Sequence, residues 1–212
     1  MTFCTLCLNS IALEHYAEDK KRCYFQCLNC ELVSVSDQYI LTAEEEKAQY
    51  DLHQNDPKDE GYQRFLSRAF EPLVSRISKD AKGLDFGCGS GPTISVMAEA
   101  LGIEVNNYDL YYYRDAELLN KKYDFVTMTE VIEHVNDGKR LLEQLDQLLK
   151  PKSILVIMTK RVIDKEYFNQ WHYKNDPTHI RFYSMKTFQW IAEYFNWQLE
   201  IIDKDVVFFT KT

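Results

Sequence analysis

Apolar positions along the chain change their period several times, and each change marks an element. The run Ser153-Ile-Leu-Val-Ile-Met158 is uninterrupted after its first residue, as expected for a strand covered on both faces inside a parallel sheet. Phe125, Val126 and Met128 predict a second buried strand, and the step Leu84 and Phe86 a third. Gly102 to Asp109 reads as a short strand with a carboxylate at its end. Elsewhere the spacing becomes helical. Tyr62, Phe65, Leu66, Ala69, Phe70, Leu73, Val74 and Ile77 share one helical face, and Pro72 is expected to kink that helix. Shorter stripes run through Ile94, Met97, Ala98 and Leu101, through Leu141, Leu142, Leu145, Leu148 and Leu149, and through Phe188, Ile191, Ala192 and Phe195.

Polar residues punctuate these runs. Thr42 with Glu45 three places on forms a capping box that opens a polar helix to about His53, and Asn55 to Gly61 is a break. Asp137 and Ser184 are placed to cap helices, and Pro151 ends the one before it. Arg22–Gln26 and Leu32–Val35 read as strands. Trp197–Ile202 and Val206–Thr210, joined by Asp203-Lys-Asp205, read as a closing antiparallel hairpin. Strand, helix, strand in repeated order predicts an α/β sheet of βαβ units.

The chemistry concentrates where the strand at Leu84 ends. Lys82-Gly-Leu-Asp-Phe-Gly-Cys-Gly-Ser-Gly-Pro92 places glycines at 87, 89 and 91 behind the carboxylate of Asp85. Absent Cβ atoms allow a ligand close to the backbone. Taken alone, such a loop fits a phosphate, a dinucleotide or only a tight turn. A dinucleotide fingerprint needs G-x-G-x-x-G, and here the third glycine falls one place early with Pro92 in its slot. Asp85-Phe-Gly-Cys-Gly-Ser-Gly91 instead resembles motif I of the class I S-adenosylmethionine-dependent methyltransferases. Tyr123-Asp-Phe-Val-Thr-Met-Thr-Glu-Val-Ile-Glu-His-Val135 resembles the motif after that family's fourth strand. The two stand in the family's order within residues 80 to 158.

The resemblance implies a doubly wound, Rossmann-like, mostly parallel seven-stranded sheet with an antiparallel C-terminal hairpin, and S-adenosyl-L-methionine as cofactor. The cofactor residues it points to are Asp85, Phe86, Gly87, Gly89 and Gly91, then Leu110 beside the adenine and Thr129 and Glu130 at the methionine end. Asp109, eighteen residues after Gly91, suits the carboxylate that accepts from ribose hydroxyls at a strand end. Tyr62, with Tyr50, His53 and Asn55, lies in the helices that cover the pocket in such enzymes. The family's third strand is usually fuller than residues 110–122 allow, and Asp115 is left without a role. Cys88 reads as a small residue in the loop and not as a nucleophile.

Five of the six cysteines fall in the first 35 residues. Cys4-x2-Cys7 and Cys27-x2-Cys30, nineteen residues apart, have the spacing of a four-thiolate zinc ribbon. So short a segment lacks the apolar surface to fold alone, and a metal would supply the difference. Cys23 and His15 are spare. The expected division is a ribbon over 1–36, a helical connector and cofactor lid over 37–80, and a methyltransferase domain over 81–212, like the family members that carry an N-terminal ribbon.

Of 212 residues, 45% are hydrophobic, with only 7 Gly and 5 Pro, which describes a packed chain. A net charge of −8 points away from general binding to nucleic acid phosphates, so a small-molecule acceptor is favoured over RNA or protein. No apolar run approaches a membrane span and no signal-peptide pattern opens the chain, so a cytoplasmic protein is expected. Thr159 to Tyr183 is a connection rich in Trp, Tyr, His and Asp, of a length uncommon unless it is functional, and its Asp176-Pro-Thr-His179 resembles the acceptor-side segment of several small-molecule methyltransferases. His172 and His179 are candidate general bases there, and Glu130, nearest the end of its strand, is a candidate catalytic residue in contact with substrate or cofactor. Asp176 and His179 equally suit a hydrogen-bonded clamp on that loop. A rival from another class is a non-catalytic binding module with the ribbon as docking device.

Overall fold

The computed structural model describes residues 3–9, 13–52 and 56–212. His53 and Asn55 lie outside the described residues. Strands β1 (Leu13–Glu18), β2 (Cys23–Cys27) and β3 (Val33–Val35) form an antiparallel meander. Helix α1 (Ala43–Tyr50) begins at the expected capping box: Glu45 N donates to Thr42 Oγ1 at 3.3 Å and Thr42 N donates to Glu45 Oε2 at 2.9 Å. It buries no residue, as a helix with no apolar stripe requires. Helix α2 (Glu60–Val74) is capped by Asp59 and buries Leu66, Ala69, Phe70 and Leu73. Pro72 sits in its last turn, and the helix ends two residues later.

The main body follows as β4 (Lys82–Phe86), α3 (Thr93–Glu99), β5 (Glu104–Tyr108), β6 (Tyr123–Thr129), α4 (Gly138–Leu148) and β7 (Leu149–Met158). Then come α5 (Lys165–Gln170), the two-residue β8 (Arg181–Phe182), α6 (Met185–Phe195), β9 (Trp197–Ile201) and β10 (Val206–Lys211). The main sheet runs β5-β4-β6-β7-β10-β9, parallel up to β7 and antiparallel through the closing hairpin. It is the Rossmann-like sheet expected, with six strands among the described residues where seven were anticipated. Only residues 110–122 connect β5 to β6, and that path must cross over β4. A parallel crossover alone uses about a dozen residues, which leaves no length for another strand. A 3₁₀ turn, Ala116–Asn120, fills the space instead.

Successive residues of the strands face opposite layers. Phe125, Val156, Met158 and Phe208 pack with α2 and α3, whereas Val126, Leu155, Ile157 and Phe209 pack with α4 and α6. Cys4, Leu6, Cys27, Cys30 and Leu32 belong to the second layer, so the cysteine knuckles are part of the main core. β7 starts four residues earlier than its apolar run suggests, and Pro151 lies where its register with β6 shifts, a bulge position that tolerates proline.

The long connection is tied to the N-terminal sheet. β8 pairs antiparallel with β3, Val33 opposite Phe182. Arg22, buried in the meander, donates from Nη1 to His179 O at 3.0 Å and from Nη2 to Asp176 O at 2.9 Å. No helix among the described residues is long and apolar enough to cross a membrane.

Candidate active site

The glycine loop turns where only glycine fits. Gly87 has φ +78° and Gly89 φ +66°, a region that costs L side chains energy. A Cβ on Gly87 would stand 2.5 Å from Val131 Cγ2. The loop is held from the next strand: Gly87 N donates to Tyr108 O at 2.7 Å, and Gly89 N donates to Asp109 Oδ2 at 3.0 Å. Asp109 Oδ1 accepts from Tyr111 N at 2.8 Å and Tyr112 N at 3.1 Å, so this carboxylate orders both the loop and the turn after β5. Gly91 O accepts from Thr93 N at 2.8 Å. Asp85 lies behind the loop, buried, accepting from Thr127 Oγ1 at 2.7 Å. Burial, with Asp109 nearby, pushes its carboxyl up to about 7.

A cavity of about 830 Å3 opens over the carboxyl ends of β4, β5 and β6. Phe86, Gly87, Gly89, Asp109, Leu110, Thr129, Glu130, Tyr62 and His179 all line it. Asp85 and Gly91, also expected at the cofactor, are not among its lining residues. His172 does not reach it: that ring is exposed, with Nε2 3.4 Å from Lys160 Nζ. α1 forms one side. Tyr111 OH donates to Glu46 Oε2 at 2.5 Å and Tyr112 OH to Asp51 Oδ1 at 2.7 Å, while the Tyr50 ring lies 5.4 Å from that of His134. These tyrosine latches were not foreseen. The Tyr-Tyr-Tyr run was visible, but its partners sit about sixty residues away on a helix with no apolar stripe.

At the end of the cavity beside β6 the charge is unusual. Glu130 leaves β6 with φ +53°, and burial followed by repulsion from Glu133 pushes its carboxyl up to about 8. Glu133 is wholly buried, and burial raises its pKa as well. Tyr173 OH lies 3.3 Å from Glu130 Oε2 and closer still to Glu133 Oε1. One hydroxyl carries one proton, so it serves one carboxylate at a time. Glu130 Oε1 and Glu133 Oε2 are buried without a hydrogen-bond partner. His179 Nδ1 stands 2.7 Å from Tyr173 O, and His134 Nδ1 3.2 Å from Thr178 O. A carbonyl only accepts, so each ring donates from Nδ1. Burial lowers the pKa of His179, which favours the neutral ring. His179 Nε2 also lies 3.8 Å from Asp176 Oδ2, beyond the reach of the direct hydrogen bond in the clamp reading.

The cysteines close on each other as their spacing predicts. Cys4 Sγ is 3.6 Å from Cys30 Sγ, Cys7 Sγ is 3.5 Å from Cys27 Sγ, and all four sulfurs lie within 4.8 Å of one another. Both knuckles share one construction. Leu8 N donates to Cys4 O at 3.0 Å and Glu31 N to Cys27 O at 2.9 Å, with Leu8 at φ +55° and Glu31 at φ +56°. Cys23 and His15 stand apart from the cluster, His15 being 3.7 Å from Glu18 Oε2.

Sheet order, glycine loop and strand-end cavity together define a Rossmann-like methyltransferase fold. Residues 58–201 match the model of the family described as "Methyltransferase domain", and the chain belongs to that family. It is 29% identical to the ubiquinone biosynthesis O-methyltransferase of Pelagibacter ubique (strain HTCC1062), with 42% of this chain aligned. The match covers 46% of that relative, so the chain spans about half the length of the curated protein it matches. Among solved structures it resembles the Burkholderia thailandensis 1,6-didemethyltoxoflavin-N1-methyltransferase, with TM-score 0.54 and 15% identity, covering 94% of this chain and 99% of that one. It also resembles magnesium protoporphyrin IX methyltransferase from Synechocystis PCC 6803, with TM-score 0.55 and 14% identity, covering 83% and 97%.

Proposed function

We propose that the chain is a cytoplasmic S-adenosylmethionine-dependent methyltransferase acting on a small-molecule acceptor, with a structural zinc ion held by Cys4, Cys7, Cys27 and Cys30. The observation that carries this reading is one cavity shared by the glycine loop, Asp109 and the strand-end Glu130. Gly87 and Gly89 let the backbone approach the cofactor, and Asp109 keeps acceptor capacity for ribose hydroxyls beyond its bonds to the loop. Phe86 and Leu110 flank the adenosine, Thr129 and Glu130 face the methionine end, and Tyr62 covers it. Asp85 and Gly91 hold the loop from behind.

The cofactor supplies a methyl group on a sulfonium, a strong electrophile. The protein's share is then to hold the acceptor in line and keep water out, which alone supplies much of a transfer rate. Glu130 and His179 are the titratable groups that line the acceptor end, and His172 has no part in the cavity. Support for a small acceptor comes from the aromatic and aliphatic wall, which includes Ile40, Leu41, Tyr50 and Ile180, from the net charge of −8, and from the name of the Pelagibacter relative. The four sulfurs suit zinc: tetrahedral bonds of about 2.3 Å put thiolates about 3.8 Å apart, close to the distances above.

Calorimetry with S-adenosylhomocysteine tests the core of the reading. One molecule is expected per chain, and well-folded, zinc-loaded protein that binds none would reject it in favour of a non-catalytic module. Radiolabelled cofactor incubated with size-fractionated lysate tests the acceptor. Label in the small-molecule fraction supports the proposal, whereas label in RNA or protein would reject the small acceptor.

A further inference from the structure

We propose that Glu133, His134 and His179 form a second metal site, for a divalent cation bound by oxygen and nitrogen, in the wall of the acceptor cavity. One carboxylate oxygen and one ring nitrogen from each histidine lie within 4.8 Å of one another. The placement is specific in three ways. First, both imidazoles donate from Nδ1 to backbone carbonyls, Thr178 O and Tyr173 O, which is the outer-shell arrangement that presents Nε2 as a metal ligand and fixes ring orientation. Second, Glu133 is fully buried and its Oε2 has no hydrogen-bond partner. A buried carboxylate oxygen left in that state is costly unless something occupies it. Third, Glu130 Oε1, also unpartnered, belongs to the same tyrosine-bridged pair. A cation satisfies two carboxylates that one tyrosine proton cannot.

The ligand set also selects the ion. Two imidazoles and a carboxylate suit Mn2+, Fe2+, Co2+ or Zn2+, whereas the all-sulfur cluster suits zinc. Three protein ligands leave coordination positions open, and His134, His179 and Glu130 all face the cavity. An acceptor carrying a hydroxyl or enol oxygen binds there, and the ion lowers that oxygen's proton affinity, the proton leaving to water. This role for the acceptor rests on the methyltransferase reading; the metal site itself does not. His179 is then a ligand and not a base.

Equilibrium dialysis of the zinc-loaded protein against Co2+, with no cofactor present, tests the site directly. The expected result is one cobalt in addition to one zinc per chain, with visible d–d bands and no thiolate-to-cobalt absorption. His179→Ala and Glu133→Gln should weaken cobalt binding by at least about tenfold, the loss that even outer-shell changes reach. His172→Ala, on the exposed side, should leave it unchanged. Both variants are checked for an unaltered circular dichroism spectrum and retained S-adenosylhomocysteine binding. No second metal at millimolar Co2+ overturns the proposal, as does cobalt that still binds in both variants. Failure of the zinc assignment reads out separately as thiolate-to-cobalt bands, and failure of the methyltransferase reading as absent S-adenosylhomocysteine binding.

Discussion

The cysteine knuckles and the glycine loop use the same backbone device for opposite ends. Each turns the chain through positive φ, but the knuckles fix the turn with a hydrogen bond four residues long and the loop is fixed from Tyr108 and Asp109, about twenty residues on. In the knuckles the residues at positive φ are Leu8 and Glu31, side chains that cost roughly 1–2 kcal/mol in that conformation. Four converging sulfurs over-determine the turn and hold them there. In the loop the residues are Gly87 and Gly89, and at Gly87 the neighbouring Val131 leaves no room for any side chain. The knuckles close inward on an apolar layer shared with α4 and α6. The loop opens onto the cavity. Closed turns of this kind hold the fold, and open ones bind.

The contrast breaks most sharply on removal of metal. Chelation, or Cys30→Ser, should lower the melting temperature of the whole chain in one cooperative transition, because Cys4, Cys27 and Cys30 sit in the main core. The loss should be several kcal/mol, a part of the roughly 10–16 kcal/mol that structural zinc supplies in isolated peptides. Scanning calorimetry that shows only a separate, small early transition would contradict the shared core.

Gly87→Ala tests the open turn. Backbone strain of about 1–3 kcal/mol adds to the Val131 contact, and S-adenosylhomocysteine binding should fall by more than the folded fraction does. Equal losses in both would mean that the loop, like the knuckles, mainly holds the fold.

Asp85 gives an effect that depends on pH. Its carboxyl is raised to about 7 in the folded protein against about 4 for a free aspartate. The folded state therefore holds the proton more tightly. The contribution to stability is complete below about pH 4 and is lost as pH rises through about 7. Urea unfolding of the unliganded protein between pH 5 and 8 should show the decline, and Asp85→Asn should flatten it. An unchanged slope in the variant would place the titration on other buried carboxyls such as Glu130 and Glu133.

Much of this was legible in the sequence because it is local. Continuous apolar runs gave the buried strands, Thr42–Glu45 gave a capping box that formed as written, and the cysteine spacing matched a real cluster. What was missed depends on contacts between distant segments. The sheet has six strands because residues 110–122 must spend their length crossing β4, a demand of topology that no local pattern carries. β8 has only two residues and is a strand solely because β3 offers an edge. His172 and His179 are alike in sequence, yet one is exposed beside Lys160 and the other packs 4.7 Å from His134. The Tyr111 and Tyr112 latches depend on α1, whose polar surface gave no sign of where it would lie.

The pairing of β3 with β8 also sets a schedule for synthesis. Val33 leaves the ribosome 149 residues ahead of its partner Phe182, a delay of roughly 7–30 s at about 5–20 residues per second. Throughout that interval the nascent meander has an open edge, and Arg22 lacks the carbonyls of Asp176 and His179 that later receive it. Early capture of a metal by the four thiols would keep this segment ordered until the rest of the chain arrives.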